Sequence, residues 1–329
     1  MKMRYLNFKW IMALFILVTV SCEDDYVYKV PEAETSFRND CIKRTVGPHV
    51  AGLNMYFTYA MALGVDEGTI TSAQVEASFP GATGTYLEHR SFYTGSAGND
   101  IGIQVADPSV TSGNVTSVTF TKDTCAATLR YYYTVPEAAR GKSVEFTFSA
   151  RASTGESVSY KMGPYVIGKA EMKLDIALSD NNICYISIAD MMAYNAADAA
   201  AHAANIDLVY LYRSISGITF AHALAAPASN ADFLPGITLP AGVTRSAKLL
   251  KVWGLRDQHL SRDRWGEFVD DIDFEELIIG DAPSYALNLK KENGIWVETT
   301  DGKYRAFLYV NAVNNSAKTM TISMKRYAL

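Results

Sequence analysis

The sequence predicts a mainly β protein: an N-terminal immunoglobulin-like β-sandwich followed by a β-dominated α+β domain. Three observations predict it. From about residue 42 the apolar residues recur with period two, as half-buried strands require, because successive side chains leave opposite faces of a sheet. Turn residues cut this pattern into short segments: Pro80-Gly81, Gly95, Gly98, Ser112-Gly113, Gly141 and Gly155. One Ala-rich stretch, residues 195–204, interrupts the β pattern in the second half.

In order, Met55, Phe57, Tyr59, Met61 and Leu63 share one face of a first long strand. Ala73, Val75, Ala77 and Phe79 share the face of a second, Leu129, Tyr131, Tyr133 and Val135 of a third, and Val144, Phe146, Phe148 and Ala150 of a fourth. Shorter segments at Tyr86–Phe92, Ile101–Val105 and Val115–Phe120 bring the total to about seven, which fits a sandwich. This domain spans residues 42–168. In the second, residues 169–329, Met172, Leu174, Ile176 and Leu178 alternate with polar residues, and Ile183–Ile188 is a short buried run. Asn195 is a fitting N-cap for a short helix with Asp198 in its first turn. Ile206–Tyr212 is apolar on both faces, hence a central strand. Prolines and glycines between residues 225 and 245 imply an irregular loop. Lys248–Gly254 fits a strand or a helix start, Leu260–Phe268 a helix, and Glu275–Ile279 a short strand. Tyr304–Val310 and Thr319–Lys325 form a closing hairpin.

The beginning of the chain carries an address. Lys2, Arg4 and Lys9 precede an apolar core, Trp10–Val18, too short to span a bilayer permanently; small residues and Cys22 follow. This is the plan of a secretory signal over residues 1–21, and it resembles a bacterial lipoprotein signal whose Cys22 becomes the lipidated first residue, although Thr19 stands where that signal usually has Leu. Residues 22–41 read as a tether, and Glu23, Asp24 and Asp25 resemble the acidic cluster that directs Bacteroidetes lipoproteins to the outer face of the outer membrane. Without residues 1–21 the chain has 27 Lys+Arg against 35 Asp+Glu, a net charge of −8. That balance, with no basic run, argues against nucleic acid as a partner. The membrane partner is reached through lipid on Cys22. Export permits disulfides, and Cys41 and Cys125 are the candidate pair. Cys184, in an apolar run, reads as a buried small hydrophobe.

Several phrases together resemble a known family: NDCIKRTVGP (39–48), SAQVEASFPGATGTYLEHRSFYT (72–94), DTCAATLRYYYTVPEAARGKSVEFTFSA (123–150), YKMGPYVI (160–167), AHALAAPAS (221–229), KVWGLRDQHLSR (251–262) and WVETTDGKYRAFLYVN (296–311). They are similar to a group of Bacteroidales lipoproteins of unassigned function, sometimes described as cell-adhesion proteins. The resemblance implies an outer-membrane lipoprotein facing the cell exterior with an adhesive or ligand-binding role. It carries no catalytic residue onto this chain.

Chemistry leaves few marks. Gly-x-Ser-x-Gly, His-Glu-x-x-His, a Walker loop and Gly-x-Gly-x-x-Gly are all absent, which removes the usual hydrolase and nucleotide-binding readings. No cofactor is expected. Glycoside hydrolysis, whose paired carboxylates have no local motif, stays open as a third reading. The densest polar stretch is Arg256–Glu276. Trp253 and Trp265, with Arg256, His259 and Arg264, could form a glycan platform in which an aromatic face stacks on a sugar while charged groups bond its hydroxyls. Asp271, Asp273 and Glu275 alternate like calcium-loop carboxylates, but the turn Gly and terminal Glu are out of register. A salt-bridged surface segment with Trp265 packed inward explains the same residues without any ligand. His202 fits an ion pair with Asp198, four residues earlier. His222 fits a hydrogen-bonded structural role. Tyr132 should point opposite to Tyr131 and Tyr133 and, if exposed, could meet a partner. The sequence thus favours a non-catalytic surface lipoprotein that binds glycan or protein, with its site sought at 225–275. An accessory subunit of a surface assembly or glycan-uptake complex is the alternative.

Overall fold

The computed structural model describes residues 36–329. The signal segment, Cys22 and the tether as far as residue 35 lie outside the described residues. The protein is mainly β, and residues 37–329 form one compact unit.

The first half contains β1 (Arg38–Lys43), β2 (Asn54–Ala62), β3 (Ile70–Ala77), β4 (Tyr86–Leu87), β5 (Arg90–Thr94), β6 (Asp100–Gln104), β7 (Val110–Ser112), β8 (Val115–Thr119), β9 (Ala126–Thr134), β10 (Ser143–Ala152) and β11 (Ser157–Val166). Two antiparallel sheets face one another, with strand orders β1-β2-β9-β4 and β11-β10-β3-β8-β7. The period-two faces meet between them. Phe57 and Tyr59 of β2, Tyr131 and Tyr133 of β9, and Phe146 and Phe148 of β10 lie in one buried cluster. Phe57 and Phe146 centroids are 4.7 Å apart, and Tyr133 meets Phe146 edge-on at 4.8 Å. Each such side chain contributes about 1.5–3 kcal/mol through burial. Tyr133 satisfies its hydroxyl by donating to the Phe79 carbonyl at 3.0 Å. β5 and β6 leave this plan and pair only with each other. The segment expected as one strand at Tyr86–Phe92 is therefore broken at Glu88-His89.

The chain enters the sheet earlier than the tether boundary at residue 41 anticipates. Phe37 is buried and β1 begins at Arg38, because β1 pairs with β2 along its whole length, from Arg38 opposite Ala62 to Lys43 opposite Phe57. The candidate Cys41–Cys125 disulfide does not form: both thiols are free. Cys41 is opposite Tyr59, which is opposite Leu129, four residues beyond Cys125. Two strand spacings and four residues of rise separate the cysteines by roughly 16 Å, far outside disulfide reach. Burial pushes the Cys41 thiol up to about 12 and the Cys184 thiol to about 11, so both stay protonated.

The second half contains β12 (Glu171–Ser179), β13 (Tyr185–Ser187), β14 (Met192–Tyr194), α1 (Ala196–Ala201), β15 (Ile206–Ile215), β16 (Ile218–Ala225), β17 (Ala247–Trp253), α2 (Gln258–Ser261), α3 (Asp271–Glu276), β18 (Tyr285–Leu289), β19 (Asn293–Thr299), β20 (Tyr304–Asn314) and β21 (Thr319–Ala328). It is a second pair of five-stranded antiparallel sheets, β12-β21-β20-β19-β17 and β14-β13-β15-β16-β18. β15 is central and buried from Ile206 to Leu211. α1 and the loop after β16 add Ala199, Leu234 and Val243 to the same core, which explains its apolar character on both faces. Asn195 caps α1 by accepting from the Asp198 N–H at 2.9 Å. His202 turns away from Asp198: it stacks on Tyr194 at 4.6 Å, with its Nδ1 3.9 Å from Asp190. His222 lies inside β16, between the Tyr210 hydroxyl at 2.8 Å and Asn315 Oδ1 at 2.9 Å.

Two local expectations fail. Only residues 258–261 of the polar segment are helical before Arg262 takes a left-handed φ of 61°, and the region read as a strand at 275–279 contains the end of α3. The alternating Asp271, Asp273 and Glu275 belong to that helix. Asp270 caps it reciprocally with Asp273, which fixes a helical start more strongly than alternation favours a strand.

Candidate functional site

The outward residues of β2 and β9 are small at one end and aromatic at the other. Ala62 is opposite Ala126, Ala60 opposite Thr128, Thr58 opposite Arg130, and Tyr56 opposite Tyr132, which is in turn opposite Tyr86 of β4. From Ala62 to Tyr56 this floor runs roughly 20 Å at strand rise. Small side chains leave depth where the hairpin β5–β6 rises beside β9. The hairpin is held there by three contacts: the Thr128 N–H donates to Ser91 Oγ at 3.0 Å, the Arg130 guanidinium sits 3.9 Å over the Phe92 ring, and Arg130 pairs with Asp100 of β6.

Three adjoining cavities follow. The largest, about 550 Å³, lies over the alanines and is walled by Arg38, Asp40, Ser91, Phe92 and Tyr93. The middle one, about 220 Å³, shares Phe92, Tyr93 and Thr128 with it and adds Arg44, Asp100 and Arg130. The third, about 300 Å³, is lined by Arg44, Tyr56, Phe57, Arg130, Tyr131 and Tyr132. Shared lining residues make them one groove. At its aromatic end Tyr86 and Tyr132 stack at 4.5 Å with planes 13° apart, and Tyr56 meets Tyr132 edge-on at 5.2 Å. Tyr132 does face opposite to the buried Tyr131 and Tyr133. Desolvation, and then Tyr132 beside it, raises the Tyr86 phenol, which therefore remains a hydroxyl donor at neutral pH. The arrangement offers stacking faces, hydroxyls and guanidinium groups along an open channel.

The polar segment 256–276 is built differently. Asp257 is fully buried: it accepts from the Leu260 and Val269 N–H groups at 2.8 and 2.7 Å and from Lys325 Nζ at 2.6 Å. Asp271 accepts from the N–H groups of Lys169 and Ala170 at 2.7 and 3.0 Å, tying α3 to the junction between the halves. Glu275 pairs with Lys169 at 3.3 Å and accepts from the Tyr327 hydroxyl. These carboxylates serve the fold, and among the described residues no group of three His, Cys, Asp or Glu side chains converges as a metal site. Arg256 pairs with Glu292. His259 packs on Phe268 at 4.8 Å with Nδ1 buried and unpartnered. Arg264 is exposed, and Trp265, expected to pack inward, is 81% exposed. Trp253, 61% exposed, lies under Lys251 Nζ at 4.9 Å at the end of β17. Among the described residues no ring contact joins the two tryptophans, so the structure does not bring the anticipated platform together. At the junction Gly47, with a φ of +84°, leaves room for the Phe268 ring, which any Cβ would meet at 2.5 Å.

Fold and groove together define a two-sandwich, mainly β protein with an open aromatic channel on its first sandwich. The chain belongs to the DUF4466 family. The model of that family, a domain of unknown function, matches residues 34–167, and a second domain of unknown function, DUF8576, matches residues 168–329. A DUF4466 family protein from Parabacteroides merdae, a Bacteroidales species, is 43% identical, with a TM-score of 0.84 over 90% of this chain and 99% of its own. Remote similarity reaches the major pilin BcpA of Bacillus cereus, at 8% identity and a TM-score of 0.30 over 88% of this chain and 66% of that one. It also reaches the major pilin SpaD of Corynebacterium diphtheriae, at 8% identity and a TM-score of 0.30 over 87% and 59%. Comparison with curated proteins found no match.

Proposed function

We propose that this chain is a non-catalytic binding protein, lipid-anchored through Cys22 to the outer membrane and facing the cell exterior, which holds a glycan in the groove of its first sandwich. The observation that carries this reading is the continuous channel with its stacked tyrosines. Tyr56 and Tyr86 are exposed, and aromatic rings beside hydroxyl and guanidinium groups match a sugar's apolar C–H face and polar rim; binding sites gather on open surfaces of rigid scaffolds. The carboxylates bordering the groove are engaged: Asp40 accepts from the Cys41 N–H at 2.8 Å, and Asp100 pairs with Arg130. That supports binding over hydrolysis. A second reading, a protein partner in a surface assembly, is favoured by Tyr93, Ile101 and Ile103, which the hairpin leaves exposed.

The test is a glycan array and a hydrolase panel on residues 23–329. Retained ligand without released sugar is expected, and Tyr132→Ala should weaken retention by roughly tenfold, the upper end for one aromatic contact. Unchanged retention in Tyr132→Ala would remove the groove from the reading. Sugar release abolished by one carboxylate substitution would replace binding with catalysis. The anchor is tested by palmitate labelling, which Cys22→Ala should abolish.

A further inference from the structure

The groove is electrically uneven. The large cavity sets Arg38 beside Asp40, and the middle one sets Arg44 and Arg130 beside Asp100. The tyrosine end has two arginines in its lining and no carboxylate. Of these, Arg130 is matched by Asp100, while the Arg44 guanidinium has no ion-pair partner among the described residues and is exposed. Arg44 is nevertheless fixed at its backbone, its N–H donating to the Tyr56 carbonyl at 2.7 Å. The Tyr56 N–H is held in turn by Thr45 Oγ1 at 2.6 Å. An unmatched guanidinium thus extends from a fixed backbone position beside the tyrosine stack, on a chain whose formal net charge is −5. A local positive pocket on an acidic protein admits an anionic ligand against the overall field.

We infer that the saccharide bound in this groove is acidic, its carboxylate or sulfate held by Arg44 at the Tyr56–Tyr132 end. This rests on the glycan reading above and adds the chemical class of ligand. A guanidinium presents paired N–H donors that match either anion, so both sources share one recognition chemistry. The neutral remainder of the oligosaccharide extends over the alanine floor toward Phe92 and Tyr93. The tyrosine cluster built around Tyr132 supplies stacking for any sugar, and Arg44 supplies the preference for the charged one.

The experiment measures binding of residues 23–329 to three oligosaccharide sets of equal length: neutral, uronic-acid-containing and sulfated. Acidic sets should bind at least about tenfold tighter than neutral ones, as expected for one charged hydrogen-bonded contact. Arg44→Gln should erase that difference, and Arg44→Lys should restore part of it. Tyr132→Ala should weaken all sets alike. A preference for uronic acid alone identifies a carboxylate source, and for the sulfated set alone a sulfate source. Equal binding of neutral and acidic sets, or a preference that survives Arg44→Gln, overturns the inference and leaves the glycan reading standing. Binding to none of the sets overturns both. Arg44 is exposed, so the variants are expected to fold, and an unchanged unfolding temperature checks it.

Discussion

Arg256–Glu276 and the outer face of the first sandwich have the same ingredients, aromatics among arginines and aspartates. They differ in what those groups face. In the polar segment Asp257 turns inward to a buried Lys325, Asp271 accepts from the backbone N–H groups at 169 and 170, and Glu275 accepts from Tyr327. On the sandwich face Arg44 and the tyrosine stack remain open to solvent along a groove. A charge-rich stretch is therefore weak evidence for a site until its partners are known. The more informative signal is a polar group that the fold positions and does not consume.

The largest effect that could break this contrast is at Asp257. Asp257→Ala should cost about 3–5 kcal/mol, because it strands the Lys325 ammonium in the interior. Urea unfolding measures it, and a loss under 1 kcal/mol would mean the polar segment is not the structural tie described. Next is pH. Burial, with Lys43 adding to it, lowers His49 to about 4, and burial, with Lys325 adding to it, lowers His259 to about 4. The unfolded chain takes up protons on these rings near pH 6.5. The folded chain takes them up only near 4, so stability is intact above about pH 6.5 and declines as pH falls through that window. The expected loss is at most about 7 kcal/mol over the two rings and smaller to the extent that water reaches them, and a His49→Asn/His259→Asn double variant should flatten the profile. Unfolding midpoints between pH 4 and 8 show whether it does. Asp271→Ala comes third, at about 1–2 kcal/mol for two lost backbone bonds. Limited proteolysis should then open the junction near residue 169 before either sandwich. The smallest effect sharpens the comparison most: Trp265→Ala should change stability by no more than about 0.5 kcal/mol and leave glycan retention intact, where Tyr132→Ala does not.

Much of the fold was legible because it depends on local rules. Period two placed β2, β3, β9 and β10, and the facing of Tyr132 followed from the pleat alone. The Asn195 cap needs only an oxygen within three residues of an N–H. The groove was not legible in the same way. Its floor joins Ala60 and Thr128, and its wall joins Arg130 to Phe92 and Asp100, across separations that no window along the chain reveals. The signal that could have pointed to it was modest: small outward residues on two long strands, beside three consecutive tyrosines.

The sequence by itself determined the β class, the central position of the Ile206–Tyr212 strand and the facing of Tyr132 away from Tyr131 and Tyr133, since each follows from periodicity. Only the tertiary structure decided that Cys41 and Cys125 lie too far apart to pair, that Asp271 and Glu275 secure the junction, and that Arg44 is left over beside the tyrosines. Register, strand order and the docking of one hairpin decide those outcomes. They are set by the packing of side chains distant in sequence, and their balance exists only once both sheets have closed on a core.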